Sequence, residues 1–393
     1  MKQLYVLVIL FIISFATELT YAQEKEKKEK STKQMTKFDA KKERTGVRFN
    51  IIPGPSYDPS IKFGIFVAPM LTYYPSKGDM ISPASMSSVY GMYTTNNSYI
   101  VGMNNEWYLK EDTWRIRLRA GGGRLNKDLK LYDVYPGTTS PDTSVITEAD
   151  ASQMVFQVDG YAMRKVVKHL YAGLGFNYKK VNFVNNSDDT KVDTLLIANN
   201  LVNNFGNIGI SYKTEFDSRD NVQYPYSGYY VGYTGYQYLS SGDQDNSYLS
   251  NTVDVKGFWS IKKNNRHIIA TKLYGNFLGG NPSPANYSYY GRVNGDVQRG
   301  YQSGRRIDKN AINIETEYRW TTPLMDNRLR FMGLLGTGKV FGEYNSFSDA
   351  EWLPVGGLGV RYAVVPYARI NVRFDTTYSK DGFMWYFGIR EAF

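Results

Sequence analysis

The chain has 393 residues, 42% hydrophobic and 15% aromatic, with 34 tyrosines, 36 glycines and no cysteine. Its formal net charge is +10. The missing thiols exclude disulfides, thiolate chemistry and an N-terminal lipoprotein anchor. The basic excess is modest and comes with no nucleic-acid motif, so no nucleic-acid partner is expected.

Taken in order, residues 1–22 read as a secretory signal peptide. Lys2 supplies the positive start, Leu4 to Ala16 is an apolar run too short to span a bilayer comfortably, and Ala22 offers a small residue for cleavage. Residues 23–44 are a Lys/Glu-rich run with almost no apolar residues; they cannot bury a core and read as a disordered periplasmic tail. From 45 to 393 the pattern is strand, turn, strand. Ile208, Ile210, Tyr212, Thr214 and Phe216 interleave with Gly209, Ser211, Lys213, Glu215 and Asp217; Ile370, Val372 and Phe374 interleave with Asn371, Arg373 and Asp375. Arg115, Arg117 and Arg119 share one strand face, which is tolerable toward a wet lumen and costly toward lipid. Those arginines suit either an anion-selective pore or a structural stripe paired with acids on adjacent strands.

Short alternating runs rich in Tyr, Gly, Asn and Val predict an all-β, transmembrane antiparallel barrel of about sixteen strands, from 45–52 to 383–393. The mean hydropathy of −0.44 fits, because barrel strands show lipid only every second residue. Within it we expect strands at 113–125 and 151–163, with 126–150, 185–203, 279–308 and 342–353 as long extracellular connections. Short turns such as Lys110-Glu111-Asp112 would lie on the periplasmic side with both termini. The Gly/Asn/Tyr-rich stretch 279–308 carries Arg299-Gly300-Tyr301, whose guanidinium needs a carboxylate partner and whose glycine permits close approach to a wall, so this loop is expected to enter the lumen. Glu315 and Glu317 alternate along the next strand as candidate partners. The last strand alternates Phe383, Trp385 and Phe387 and ends on Phe393, expected on the lipid face as an insertion signal.

Three stretches together resemble the barrel of the BamA/TamA superfamily, the bacterial surface antigens. They are Asp217-Ser218-Arg219-Asp220 with Pro225 and Gly228 at a strand junction; Arg299-Gly300-Tyr301 with the strand through Glu317; and the final five strands to Phe393. The resemblance implies an outer-membrane location and a loop arginine, Arg299, that meets Glu317 inside the lumen. Gly336 stands where the family often has a second carboxylate, which implies a thinner clamp unless Glu315's neighbours compensate. The tail 23–44 leaves no room for a periplasmic POTRA domain, so the chain looks like a POTRA-less relative. The implied function is an accessory role in inserting or translocating outer-membrane or surface proteins through a lateral seam, with lipid, client proteins or assembly components as partners. The alternative is a passive pore or structural barrel.

No metal spacing, phosphate loop or nucleophile motif is present, and no cofactor is expected. The two histidines, His169 and His267, follow short turns at the expected periplasmic end, away from any rim where an outer-membrane hydrolase would act. An enzyme is therefore not expected.

Overall fold

Alternation here runs opposite to that of a water-soluble sheet. Along β8 (Asn207–Asp217) Ile208 and Ile210 are both 56% exposed, while Ser211, Lys213, Glu215 and Asp217 are buried. The same inversion holds in β17 (Ile370–Ser379), where Phe374 and Tyr378 face outward and Asn371, Arg373, Asp375 and Thr377 point in. Apolar side chains on the outside and charges inside suit a wall that separates lipid from a polar lumen, and exclude a soluble sandwich.

The computed structural model describes residues 47–58, 61–133, 142–198, 201–202, 206–239, 246–261, 264–291, 298–302, 305–366 and 369–393. The expected signal peptide and charged tail lie outside the described residues. The remaining barrel strands are β1 (Arg48–Asp58), β2 (Lys62–Tyr73), β3 (Ser85–Thr94), β4 (Tyr99–Leu109), β5 (Trp114–Asp133), β6 (Asp142–Val167), β7 (Leu170–Asn185), β9 (Gly228–Tyr238), β10 (Tyr248–Ser260), β11 (His267–Gly280), β14 (Asn310–Thr321), β15 (Leu329–Phe341), β16 (Val355–Val365) and β18 (Gly382–Ile389). Neighbours in sequence pair antiparallel, β11 pairs β14, and the ring returns from β18 to β1. Between β11 and β14 a two-residue ribbon, β12 (Ser288–Tyr289) with β13 (Ile307–Asp308), stiffens the long connection.

Three boundaries depart most from the sequence expectation. β1 runs on to Asp58 although it contains Pro53 and Pro55, and pairs with β2 at eleven consecutive positions. Proline is tolerated in a strand where its nitrogen faces away from the ladder. β5 and β6, expected to stop near 125 and start near 151, continue to Asp133 and from Asp142. At 20 and 26 residues they exceed the roughly 9–11 that cross a bilayer. Their surplus builds a small apolar core beyond the membrane. Leu129, Ala149, Ala151, Val181 and Phe183 pack there against Val192, Leu195 and Leu196 of a short helix, α1 (Thr190–Ala198).

Candidate functional site

The lumen is crossed by charged side chains whose positions follow from strand alternation. In β14, Asn313, Glu315, Glu317 and Arg319 share the inward face. The loop tip descends onto this face. Arg299 is 1% exposed and meets three carboxylates: its Nη1 donates to Asp375 Oδ2 at 2.8 Å, its Nη2 lies 3.5 Å from Glu315 Oε2, and Nη2 also pairs with Glu317 Oε1. Its backbone N–H donates to Glu315 Oε1 at 3.0 Å. Arg299 thus reaches Glu317 as implied, together with Glu315 and a third acid on β17. The thinner clamp implied by Gly336 is corrected. That glycine lies directly opposite Glu315, and a Cβ there would stand 3.3 Å from Gln298 Nε2. Its lack of a side chain leaves room for the loop tip, while Asp375 supplies the missing negative charge from another strand.

Gly300 and Tyr301 complete the seat. Gly300 has φ +91, and a side chain there would collide with Val355. Its N–H donates to Tyr386 Oη at 2.8 Å and its carbonyl accepts from Ser379. Tyr301 is buried edge-on to Tyr290 and donates to the Pro354 carbonyl at 2.6 Å. Further out, Arg306 pairs with Asp381 in the β17–β18 turn at 2.7 Å, and Gln302 N–H donates to the same carboxylate. Burial alone would raise the Asp381 pKa, but Arg306 outweighs it and holds the carboxyl below its ordinary value. A depressed folded pKa stabilises the docked loop above the unfolded carboxylate value, and that stabilisation is lost as pH falls through the folded value. Asp381→Asn is therefore expected to weaken the loop at neutral pH and to flatten the acid limb of its proteolysis-versus-pH profile.

Charge pairing continues toward the end of the barrel where β1 begins and β18 ends. Glu317 Oε2 accepts from Arg319 Nε at 2.7 Å; Asp375 also holds Arg361 and, at 2.6 Å, Arg373. Sequence reasoning missed Tyr224, which is fully buried. Its ring lies 4.3 Å from the Arg330 guanidinium and 5.4 Å from that of Arg319. It is carried by the β8–β9 turn, whose candidate residues hold it there. Asp217 takes Arg219 in a two-point bridge at 2.8 and 3.0 Å, Asp220 Oδ1 accepts the N–H groups of Tyr226 and Ser227, and Asp220 Oδ2 pairs with Arg369 at 2.5 Å. Pro225 is buried next to Tyr224. Gly228 sits at φ +103 with a would-be Cβ 2.8 Å from Arg219 Cα. Gly228→Ala is expected to cost about 1–3 kcal/mol, read as a lower unfolding midpoint.

In the arginine stripe, Arg115 bridges Asp112 at 2.9 Å and Glu215 at 2.8 Å, and Arg119 meets Asp159 at 3.0 Å. Arg117 lies over the Tyr161 ring at 5.1 Å. Acids on neighbouring elements therefore pair two of the three. His169 lies in the β6–β7 turn against the Asp217 carbonyl, and His267 begins β11 with Tyr318 Oη 2.7 Å from its ring.

The ring closes weakly. β1 and β18 share one register pair, Tyr57 with Phe387, reinforced by Tyr57 stacked on Trp385 at 3.6 Å. After Ile389 the chain leaves the sheet. Arg390 takes φ +69, Glu391 turns into the lumen to meet Arg361 at 3.0 Å and Asn371 at 2.7 Å, and the Phe393 carbonyl accepts from Arg319 at 3.1 Å. The expected lipid-facing position of Phe393 is thus corrected: its ring sits 5.3 Å from the Arg319 guanidinium. The left-handed residue at 390 breaks the pleat that keeps Phe383, Trp385 and Phe387 on the outer face.

No protein-family model matches the sequence, and no curated protein is similar to it in sequence. Solved structures are similar in fold. BamA from Haemophilus ducreyi, in a structure lacking POTRA domains 1–3, matches with a TM-score of 0.57 and 11% identity, over 87% of this chain and 70% of that one. CdiB from Acinetobacter baumannii matches with a TM-score of 0.57 and 11% identity over 88% of this chain, and this chain spans 60% of that protein's length. CdiB from Escherichia coli gives 0.55 and 9%, over 88% and 67%. At such identities the likeness is one of fold, and it agrees with the closed antiparallel ring. The chain is a sixteen-stranded transmembrane β-barrel whose fold is similar to that of the BamA and CdiB barrels, with a long loop docked inside its lumen.

Proposed function

We propose that the protein is an outer-membrane barrel with an accessory role in inserting or translocating outer-membrane or surface proteins, and that its working part is the β1–β18 seam. One observation carries this reading: every other neighbouring pair in the ring is joined at eight or more register positions, and this pair at one. A sheet edge that is left unpaired is a template for another strand. The likeness to BamA and CdiB supports the same reading. The buried column from Arg299 through Glu317 and Arg319 to Tyr224 favours it over a passive pore, because it occupies the lumen that a solute would need. Lipid surrounds the barrel, client barrel proteins or assembly components are its protein partners, and no catalytic role, cofactor or nucleic-acid partner is assigned to it. The loop bearing Arg299 lies on the extracellular side and the Tyr224 turn on the periplasmic side.

The test is a disulfide across the seam. Because the chain has no cysteine, Tyr57→Cys with Phe387→Cys introduces the only pair, at residues already opposite one another. Cells carrying only this variant should lose outer-membrane protein levels when it is oxidised and recover them on reduction. Unchanged levels with the seam locked would remove the assembly role and leave a structural barrel.

A further inference from the structure

The two edges of the seam are not equivalent, and the difference follows from three prolines. In an antiparallel sheet, N–H groups point alternately to the two neighbours, and directly opposed residues either both face each other or both face away. The β2–β3 register runs to Val67–Gly91, then resumes at Met70–Ser88, skipping Ala68 and Pro69. The β1–β2 register runs unbroken through Ile51–Pro69. Pro69, which has no N–H, therefore turns its nitrogen toward β3. Its opposite, Ile51, must turn its N–H away from β2, into the seam. By alternation so do Pro53, Pro55 and Tyr57. Tyr57 is the residue that pairs with Phe387, in agreement.

Pro53 and Pro55 thus delete two successive donors from the seam edge of β1. Continuing the antiparallel register below Tyr57–Phe387 would bring Pro55 opposite Ile389 and Pro53 opposite Glu391. That is where the chain departs from the sheet and Glu391 turns inward to Arg361. β18 contains no proline, and its edge keeps every donor.

We propose that β18, and not β1, is the edge that receives a partner strand. The partner is a transmembrane β-strand of another outer-membrane protein. Its outward side chains must be apolar, because it would lie in lipid beside Phe383, which is 67% exposed, and Trp385 and Phe387 on the same face. Two missing backbone hydrogen bonds weaken a strand docked on β1 by about thirtyfold relative to one on an intact edge. This inference rests on the assembly role proposed above and gives that role a polarity.

The experiment places a photoreactive amino acid singly at Phe383 and Trp385 on β18, and at Phe49 and Ile51 on β1, in the full chain in its native membrane. Adducts with outer-membrane barrel proteins are expected at Phe383 and Trp385, with at most about a tenth of that yield at Phe49 and Ile51. Adducts confined to Phe49 and Ile51 would overturn the polarity while leaving the assembly role standing. Adducts at none of the four would remove the assembly role, and the polarity with it. A second measurement needs no client: Pro53→Thr with Pro55→Thr restores both donors, and should raise the temperature at which the folded barrel is lost on semi-native gels. An unchanged temperature would show that the prolines do not hold the seam apart, and would overturn the inference.

Discussion

Replacing Arg299 by alanine is expected to lower barrel stability by about 3–5 kcal/mol, the range seen when one partner of a buried ion pair is removed. The change takes a cation away from Glu315, Glu317 and Asp375 together, in a site where all three are almost fully buried. Lysine should rescue only partly. A single ammonium cannot present two separate nitrogens to Asp375 on β17 and Glu317 on β14, as the guanidinium fork does. The measurement is the melting temperature of the folded band on semi-native gels, with limited proteolysis of the loop as a local readout. A barrel that melts unchanged but whose loop is cut would mean that the clamp fixes the loop without supporting the wall. An unchanged melt with an uncut loop would show that the ion cluster contributes nothing.

The second large effect is expected at Asp375. It pairs with Arg299, Arg361 and Arg373 at once, and is fully buried. Asp375→Asn keeps the shape and one acceptor but removes the only negative charge on this part of β17, so a loss again near 3–5 kcal/mol is expected. The two variants share one interaction, so the double variant Arg299→Ala with Asp375→Asn should cost clearly less than the sum of the singles. Full additivity would mean that the two residues act independently, contrary to the 2.8 Å contact between them. Because Glu391 holds the chain terminus through Arg361, the Asp375 variant should also loosen residues 390–393 from the lumen. Proteolysis of the C-terminus provides that readout.

Asp375 was within reach of the sequence. Asn371, Arg373 and Asp375 form the inward row of a strand whose other row is Val372 and Phe374, so a lumen-facing acid was legible there. Its partner was not, since Arg299 lies 76 residues earlier in the chain. Tyr224 was harder still. A tyrosine before a proline in a polar turn carries no mark of burial, and it is buried only because β14 and β15 bring Arg319 and Arg330 to the same end of the lumen. The opposite error arose at β1, expected to end at residue 52 and found to run on through Pro53 and Pro55. They are compatible with a strand because their nitrogens face a neighbour that does not pair with them.

What the sequence determined by itself is the wall. A period of two is a local property, so the alternation of Ile208, Ile210 and Tyr212 with Ser211, Lys213 and Glu215 decides that the strand is amphipathic whatever surrounds it. The inward charges then decide that its inner face is polar. The loop motif Arg299-Gly300-Tyr301 was likewise visible, because a glycine free to adopt φ > 0 beside an arginine is a local signal. Only the tertiary structure decided which carboxylates the arginine meets, where Phe393 ends, and how the ring closes. Those outcomes depend on register between strands distant in sequence, where a shift of one residue exchanges the lumen and lipid faces and reverses every N–H. The seam is the clearest case: two prolines and one left-handed arginine are plain to read, but their effect exists only in the register that sets Tyr57 against Phe387.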